Sequence, residues 1–151
     1  MATSDSRDVV IEATPEEILA VVADVESTPN WSPQYQKAEI LETYSDGRPK
    51  VVKQTIKTVG ITDELTIEYT WEPDKVSWVL LKAGQLKSQS CSYTLTPQDV
   101  KSGLPKTKVK FDITIDMAIP LPGFLLKRVM KGAIDVATDG LRKEVLRVQK
   151  R

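Results

Sequence analysis

The 151-residue chain contains no histidine. That removes the side chain most used for proton transfer near neutral pH, and it excludes Ser-His-Asp and Cys-His catalysis within the chain. Cysteine is nearly absent too. Cys91 stands alone, so no intrachain disulfide can form and a thiolate zinc cluster lacks its ligands. Neither sign of charge dominates, with 21 Lys plus Arg against 21 Asp plus Glu. The basic excess of a nucleic-acid binder is therefore missing, apart from a mildly basic C-terminus. The seven glycines are scattered, none in a strand-loop-helix phosphate motif, and there is no calcium loop. No apolar stretch approaches the ~20 residues needed to cross a bilayer. The N-terminus, MATSDSRDVVIEATPEE, has neither a basic start nor a signal-length apolar run. Together these absences predict a soluble cytoplasmic protein with no catalytic residue assigned, no metal, no cofactor and no nucleic-acid partner.

What is present suits one domain over 1–151. Hydrophobic residues make up 40% of the chain, enough to bury a core. Residues 6–12 read as a strand in which Val9 and Ile11 alternate with Asp8 and Val10. Thr14, Pro15 and Glu17 then form a capping-box start. Ile18, Val21, Val22 and Val25 give the helix that follows one apolar face. Ser27 offers a second cap, with Pro29 just inside a short new helix, and Pro33 disfavours helix at Ser32. Trp31 is thereby held at a corner.

Strand signals continue over 35–44, 50–59, 61–71, 75–83, 87–95 and 106–117, with a polar loop at 96–105. Leu65, Ile67, Tyr69 and Trp71 share one face of their strand; Val109, Phe111, Ile113, Ile115 and Met117 share another. The pattern is that of an antiparallel meander with one wet and one apolar face. After IPLPG at 119–123 the period becomes helical to about residue 149, along a stripe of Leu126, Met130, Ala133, Ala137, Leu141, Val145 and Val148. Gly132 and Gly140 inside this helix mark either close approach to the sheet or a slight bend. The order gives an α+β fold of helix-grip type: a curved antiparallel seven-stranded sheet with two short helices and a long C-terminal helix.

ATPEEILAVVADVESTPNWSP, KVSWVLLKAG, KSQSCSYTLTP and IPLPGFLLKRVMKGAIDVATDGLRKEV follow one another in an order and spacing that resemble the polyketide cyclase/dehydrase branch of the START-like (SRPBCC) superfamily. The resemblance spans nearly the whole chain and is close to actinobacterial members. It implies a cavity between sheet and helix, lipid-like or polycyclic ligands, and in some members a cyclase. The residues themselves admit either a void or close helix-sheet packing, since Ala133, Ala137 and Gly140 suit both.

The candidate ligand-binding residues are Trp31, Gln54, Ile56, Tyr69, Trp71, Trp78, Cys91, Tyr93, Phe111, Ile113, Leu126, Met130 and Ala133. Each aromatic among them also has a plain reading as core. Tyr69 and Tyr93 carry hydroxyls that need partners if buried. Gln54 is either an inward polar group or turned outward by a bulge. Cys91 reads as a small buried hydrophobe, and no histidine can activate it. Glu64, Glu68, Asp112 and Asp116 alternate against the apolar face and read as solvated.

The basic side of the last helix, including Lys127, Arg128, Lys131, Lys150 and Arg151, admits helix-dipole pairing or transient contact with an anionic membrane. The first functional expectation is binding of an apolar or amphipathic small molecule (a lipid, quinone or polyketide-like compound), with Trp31 and the corner at 24–33 gating the cavity. The alternatives are a polyketide aromatase/cyclase-type enzyme and a chaperone-like partner of a quinone- or lipid-dependent complex. Oligomeric state has no signal in the sequence.

Overall fold

A computed structural model describes residues 2–58, 60–98 and 103–149. Its strands are β1 (Thr3–Ile11), β2 (Tyr35–Thr43), β3 (Pro49–Thr58), β4 (Ile61–Glu72), β5 (Lys75–Lys82), β6 (Leu86–Gln98) and β7 (Lys106–Met117). All pair antiparallel in a seven-stranded sheet ordered β1-β7-β6-β5-β4-β3-β2. Helix α1 (Pro15–Ala23) and a 3₁₀ helix (Val25–Asn30) lie between β1 and β2. The last helix runs as α2 (Gly123–Asp135), a π-helical segment (Val136–Gly140) and α3 (Leu141–Gln149). This is the helix-grip arrangement expected from the sequence.

The local causes are legible. Thr14 accepts from the Glu17 amide at 3.2 Å while Glu17 accepts from the Thr14 amide at 3.0 Å, a complete capping box on α1. Ile18, Leu19, Val21 and Val22 are buried on the face this helix turns inward. Ser27 does not cap the second helix. That helix starts at Val25 after Asp24, and the Ser27 hydroxyl donates to the Asp24 carboxylate at 2.7 Å. A 3₁₀ winding tolerates Pro29 inside it, so the chain tightens directly out of α1 instead of restarting at Ser27.

Register shifts between β2 and β3, β4 and β5, and β6 and β7 insert extra residues that bend the strands. They curve the sheet. Strand β6 also runs three residues past the expected end at Leu95, because Thr96, Pro97 and Gln98 pair with Lys108, Thr107 and Lys106. The expected polar loop is correspondingly shorter. Its Asp99 and Ser102, along with Val59, Lys150 and Arg151, lie outside the described residues.

The C-terminal helix departs from a uniform α period. Met130, Ile134, Ala137, Thr138, Leu141, Glu144 and Val145 are buried, while Val148 is exposed. Ile134, which the sequence reading omitted, is buried four residues after Met130, at ordinary α spacing. The π segment that follows adds a residue to one turn, and Ala137 and Thr138 are both buried there. Thr138 donates to the Ile134 carbonyl at 2.7 Å within this turn. The helical glycines approach the chain entering β2 and not the sheet. A Cβ on Gly132 would lie 2.9 Å from Gln34 Nε2, and one on Gly140 3.4 Å from the Trp31 carbonyl. Arg7 to Asp135 at 2.7 Å and Arg142 to Glu12 at 3.0 Å tie the helix to β1 and the turn after it.

Candidate functional site: a cavity between sheet and helix

Inward-facing side chains of four neighbouring strands form two rows. Tyr69, Trp78, Cys91 and Ile113 are paired in sequence across β4 to β7, with Trp71, Val76, Tyr93 and Phe111 alongside. Their rings touch in a chain: Tyr69 to Trp78 at 5.5 Å, Trp78 to Tyr93 at 5.6 Å and Tyr93 to Phe111 at 5.1 Å between centroids. This tilted geometry suits aromatic quadrupoles and makes a rigid floor. Where Cys91 interrupts the bulky residues of the first row, a small side chain leaves room above it.

That room is a cavity of about 140 Å³ between the floor and the helix. Eleven of the thirteen expected site residues line it: Trp31, Gln54, Ile56, Tyr69, Trp78, Cys91, Tyr93, Phe111, Ile113, Met130 and Ala133. Two are set back. Trp71 stacks on Tyr69 at 5.4 Å and donates its ring N–H to the Pro49 carbonyl at 2.7 Å, with the Arg48 guanidinium 5.3 Å from its ring centroid. Leu126 packs partly buried against the core, one turn before Met130. The sequence reading missed Tyr35, Val22, Asp63, Met117, Leu121 and Val129, among others. Half-buried lining residues trace the opening: Ile61 at the tip of β3–β4, Gln85 and Leu86 at the β5–β6 turn, and Leu121 and Val129 around the start of α2.

Asp63 fixes this rim. Its carboxylate accepts from the backbone N–H groups of Glu64, Gly84 and Gln85 at 2.8 to 3.0 Å. No lysine or arginine lines the cavity among the described residues. The polar groups on its wall are mostly neutral. Gln54 is 5% exposed and turned inward, between Val52 and Ile56 on the same face. Burial dominates at the neighbouring Tyr69 phenol and pushes it well up from its ordinary value, while the Gln54 amide beside the hydroxyl favours the phenolate slightly. Burial likewise raises Tyr35, Tyr93 and the Cys91 thiol. All four groups stay protonated at neutral pH, so Cys91 is no thiolate nucleophile here.

The hydroxyls differ in their commitments. Tyr93 donates to the Ala137 carbonyl at 2.8 Å, supporting the π segment where intrahelical pairing is altered. The hydroxyls of Tyr35 and Tyr69 have no such backbone partner among the described residues. Trp31 stands on the boundary between the cavity and a groove lined by α1 and α3. Its ring N–H and the Ser32 hydroxyl are buried without a partner among the described residues.

No curated protein matches the sequence. Several solved structures share the fold. A START superfamily protein from Mycobacterium smegmatis aligns with a TM-score of 0.83 at 22% identity, over 96% of this chain and 98% of that one. The Zhui aromatase/cyclase from Streptomyces sp. R1128 aligns at 0.76 and 15% identity, over 97% and 95%. A protein from Thermus thermophilus aligns at 0.78 and 17%, over 97% and 99%. At these identities the likeness is one of fold. The sequence itself matches a family model across residues 11–142, nearly the whole of the helix-grip unit just described, and the chain thus belongs to the family described as polyketide cyclase/dehydrase and lipid transport.

Proposed function

We propose that the protein binds an apolar or amphipathic small molecule, of lipid, quinone or polyketide-like character, in the cavity between sheet and helix. The carrying observation is the cavity itself: about 140 Å³, walled by aromatic and aliphatic side chains, in an interior that would otherwise pack densely. Binding draws on burial of apolar ligand surface, worth about 25 cal/mol per Å² before entropic costs. Trp31, between the cavity and the outer groove, serves in this reading as the movable wall. Exposed Ile119 and Phe124 near the start of α2, together with exposed Lys127 and Arg128, support transient contact with an anionic membrane during transfer.

The test is native mass spectrometry of protein purified gently from its host, followed by denaturation to identify any released molecule. A stoichiometric apolar species is expected. A mass equal to the chain alone, with no uptake when the protein is incubated with host lipid extract, would count against binding.

One observation favours a second, enzymatic reading of aromatase/cyclase type. Tyr35 and Tyr69 are protonated phenols in an apolar site, and such donors stabilise an oxyanion that develops during carbon–carbon bond formation. Against it, the Asp63 carboxylate is occupied by three backbone donors and is poorly placed as a free base. Turnover of a polyketide chain, lost in Tyr69→Phe, would establish this reading over simple binding.

A further inference from the structure

The cavity has a definite size, charge and donor pattern, and each restricts what it can hold. An apolar protein cavity of about 150 Å³ takes a benzene molecule, whereas pockets for drug-sized ligands run to roughly 300–1,000 Å³. A volume of about 140 Å³ therefore encloses one ring, and anything longer trails through the opening. No cationic side chain lines the wall among the described residues. A carboxylate or phosphate inside would be desolvated without a counter-charge, which is strongly unfavourable. At the rim the wall carries the Asp63 carboxylate, which repels an anion further, and near the helix the Trp31 ring N–H, unpartnered among the described residues. Among its other polar groups, the phenols of Tyr35 and Tyr69 and the amide of Gln54 stand together on β2, β3 and β4. Tyr35 pairs with Ile56 on β3, two residues along from Gln54. Tyr69 on β4 stands four residues beyond Leu65, the partner of Gln54, and its phenol reaches back to the Gln54 amide. The other buried tyrosine donor, on Tyr93, is already spent on a backbone carbonyl, as is the Trp71 ring N–H.

We propose that the cavity selects an uncharged, ring-sized group bearing a hydrogen-bond acceptor, a ketone-type carbonyl above all, received by Tyr35, Tyr69 and Gln54. The inference rests on the binding reading above and narrows it to a ligand class. Because burial holds both phenols protonated, they can donate throughout the physiological range. Fatty-acid carboxylates and other anions are disfavoured inside the cavity, whatever their apolar length.

The test compares three single-ring probes at pH 7 by two-dimensional NMR titration of the full chain: acetophenone, ethylbenzene and benzoate. The carbonyl of acetophenone is well hydrated in water, so a purely apolar cavity would take ethylbenzene about tenfold or more tighter. Acetophenone is expected to bind at least as tightly as ethylbenzene, and benzoate at least about tenfold more weakly than either. Tyr35→Phe with Tyr69→Phe should weaken acetophenone about tenfold and leave ethylbenzene unchanged. Should that double variant lose its fold, Gln54→Leu and the wild-type series decide. Ethylbenzene binding with acetophenone tenfold weaker overturns the carbonyl inference and leaves the container intact. Benzoate binding as tightly as acetophenone overturns the exclusion of anions. If none of the three perturbs the cavity resonances, the binding reading fails and this inference falls with it.

Discussion

Tyr93 and Tyr69 sit on the same floor, equally buried, yet their hydroxyls do different things. Tyr93 supplies the donor for the Ala137 carbonyl inside the helix, while Tyr69 faces the cavity beside Gln54. The two Phe substitutions therefore separate. Tyr93→Phe leaves a buried carbonyl short of its partner and is expected to lower unfolding free energy by about 1–3 kcal/mol in urea titration. Tyr69→Phe removes no backbone partner and should cost less than about 1 kcal/mol. Equal losses would mean that the Ala137 bond carries no special weight. Tyr35 shows why part of the site escaped the sequence reading. A register shift between Tyr35 and Lys37 puts Tyr35 and Ala38, three residues apart, on the same side of the sheet. Plain alternation back from Ile40 and Ala38 turns Gln36 inward and Tyr35 outward. The omission follows from the bulge, which period-two reading cannot register.

At the scale of elements, the strands were the most legible, because alternation and turn residues act together. β7 was placed at both ends, and β4 displays Leu65, Ile67, Tyr69 and Trp71 inward as the pattern implies. The N-terminal capping box was equally plain, since its two hydrogen bonds depend on residue types three apart. The last helix is legible in extent and in most of its stripe: Met130, Ala137, Leu141 and Val145 are buried and Leu126 and Ala133 pack against the core, while Val148 is exposed. The π turn is not legible, because an inserted π residue has no residue-type signature. The helix's two interior glycines offer a direct test. Gly132→Ala gains about 1 kcal/mol in helix propensity. The new Cβ meets only the end of the Gln34 side chain, which can swing aside. Thermal unfolding should show a small rise in Tm. A clear fall would mean that Gln34 is held in place more firmly than its surroundings suggest.

The whole molecule should respond to alkali. Tyr35, Tyr69, Tyr93 and Cys91 all have folded-state pKa values raised by burial. In the unfolded chain the thiol ionises near pH ~8.5 and the phenols near ~10. Below those values both states are protonated and these groups contribute no pH dependence. Above them the unfolded state sheds protons that the native state keeps, so stability falls as pH rises. The limiting slope is about 1.4 kcal/mol per pH unit for each group. Urea midpoints should thus hold steady from pH 7 to 8, slip as Cys91 begins to contribute, and drop steeply beyond pH 10. A Cys91→Ala variant should delay the onset without removing the steep phase. A flat profile to pH 11 would show that water reaches these groups in the folded state.

The π segment carries one more implication, for tolerance to insertion and deletion. Each α-helical residue advances about 100° and 1.5 Å. A one-residue deletion within the regular winding of α2 would therefore rotate everything after it by that angle: Leu141 and Val145, now buried, would swing away from the core, and Arg142 would leave Glu12. The π turn at 136–140 already holds one residue more than an α turn. A deletion there tightens the turn to α winding and leaves α3 near its present azimuth, so this turn is the place where the helix can be shortened without unseating its C-terminal half.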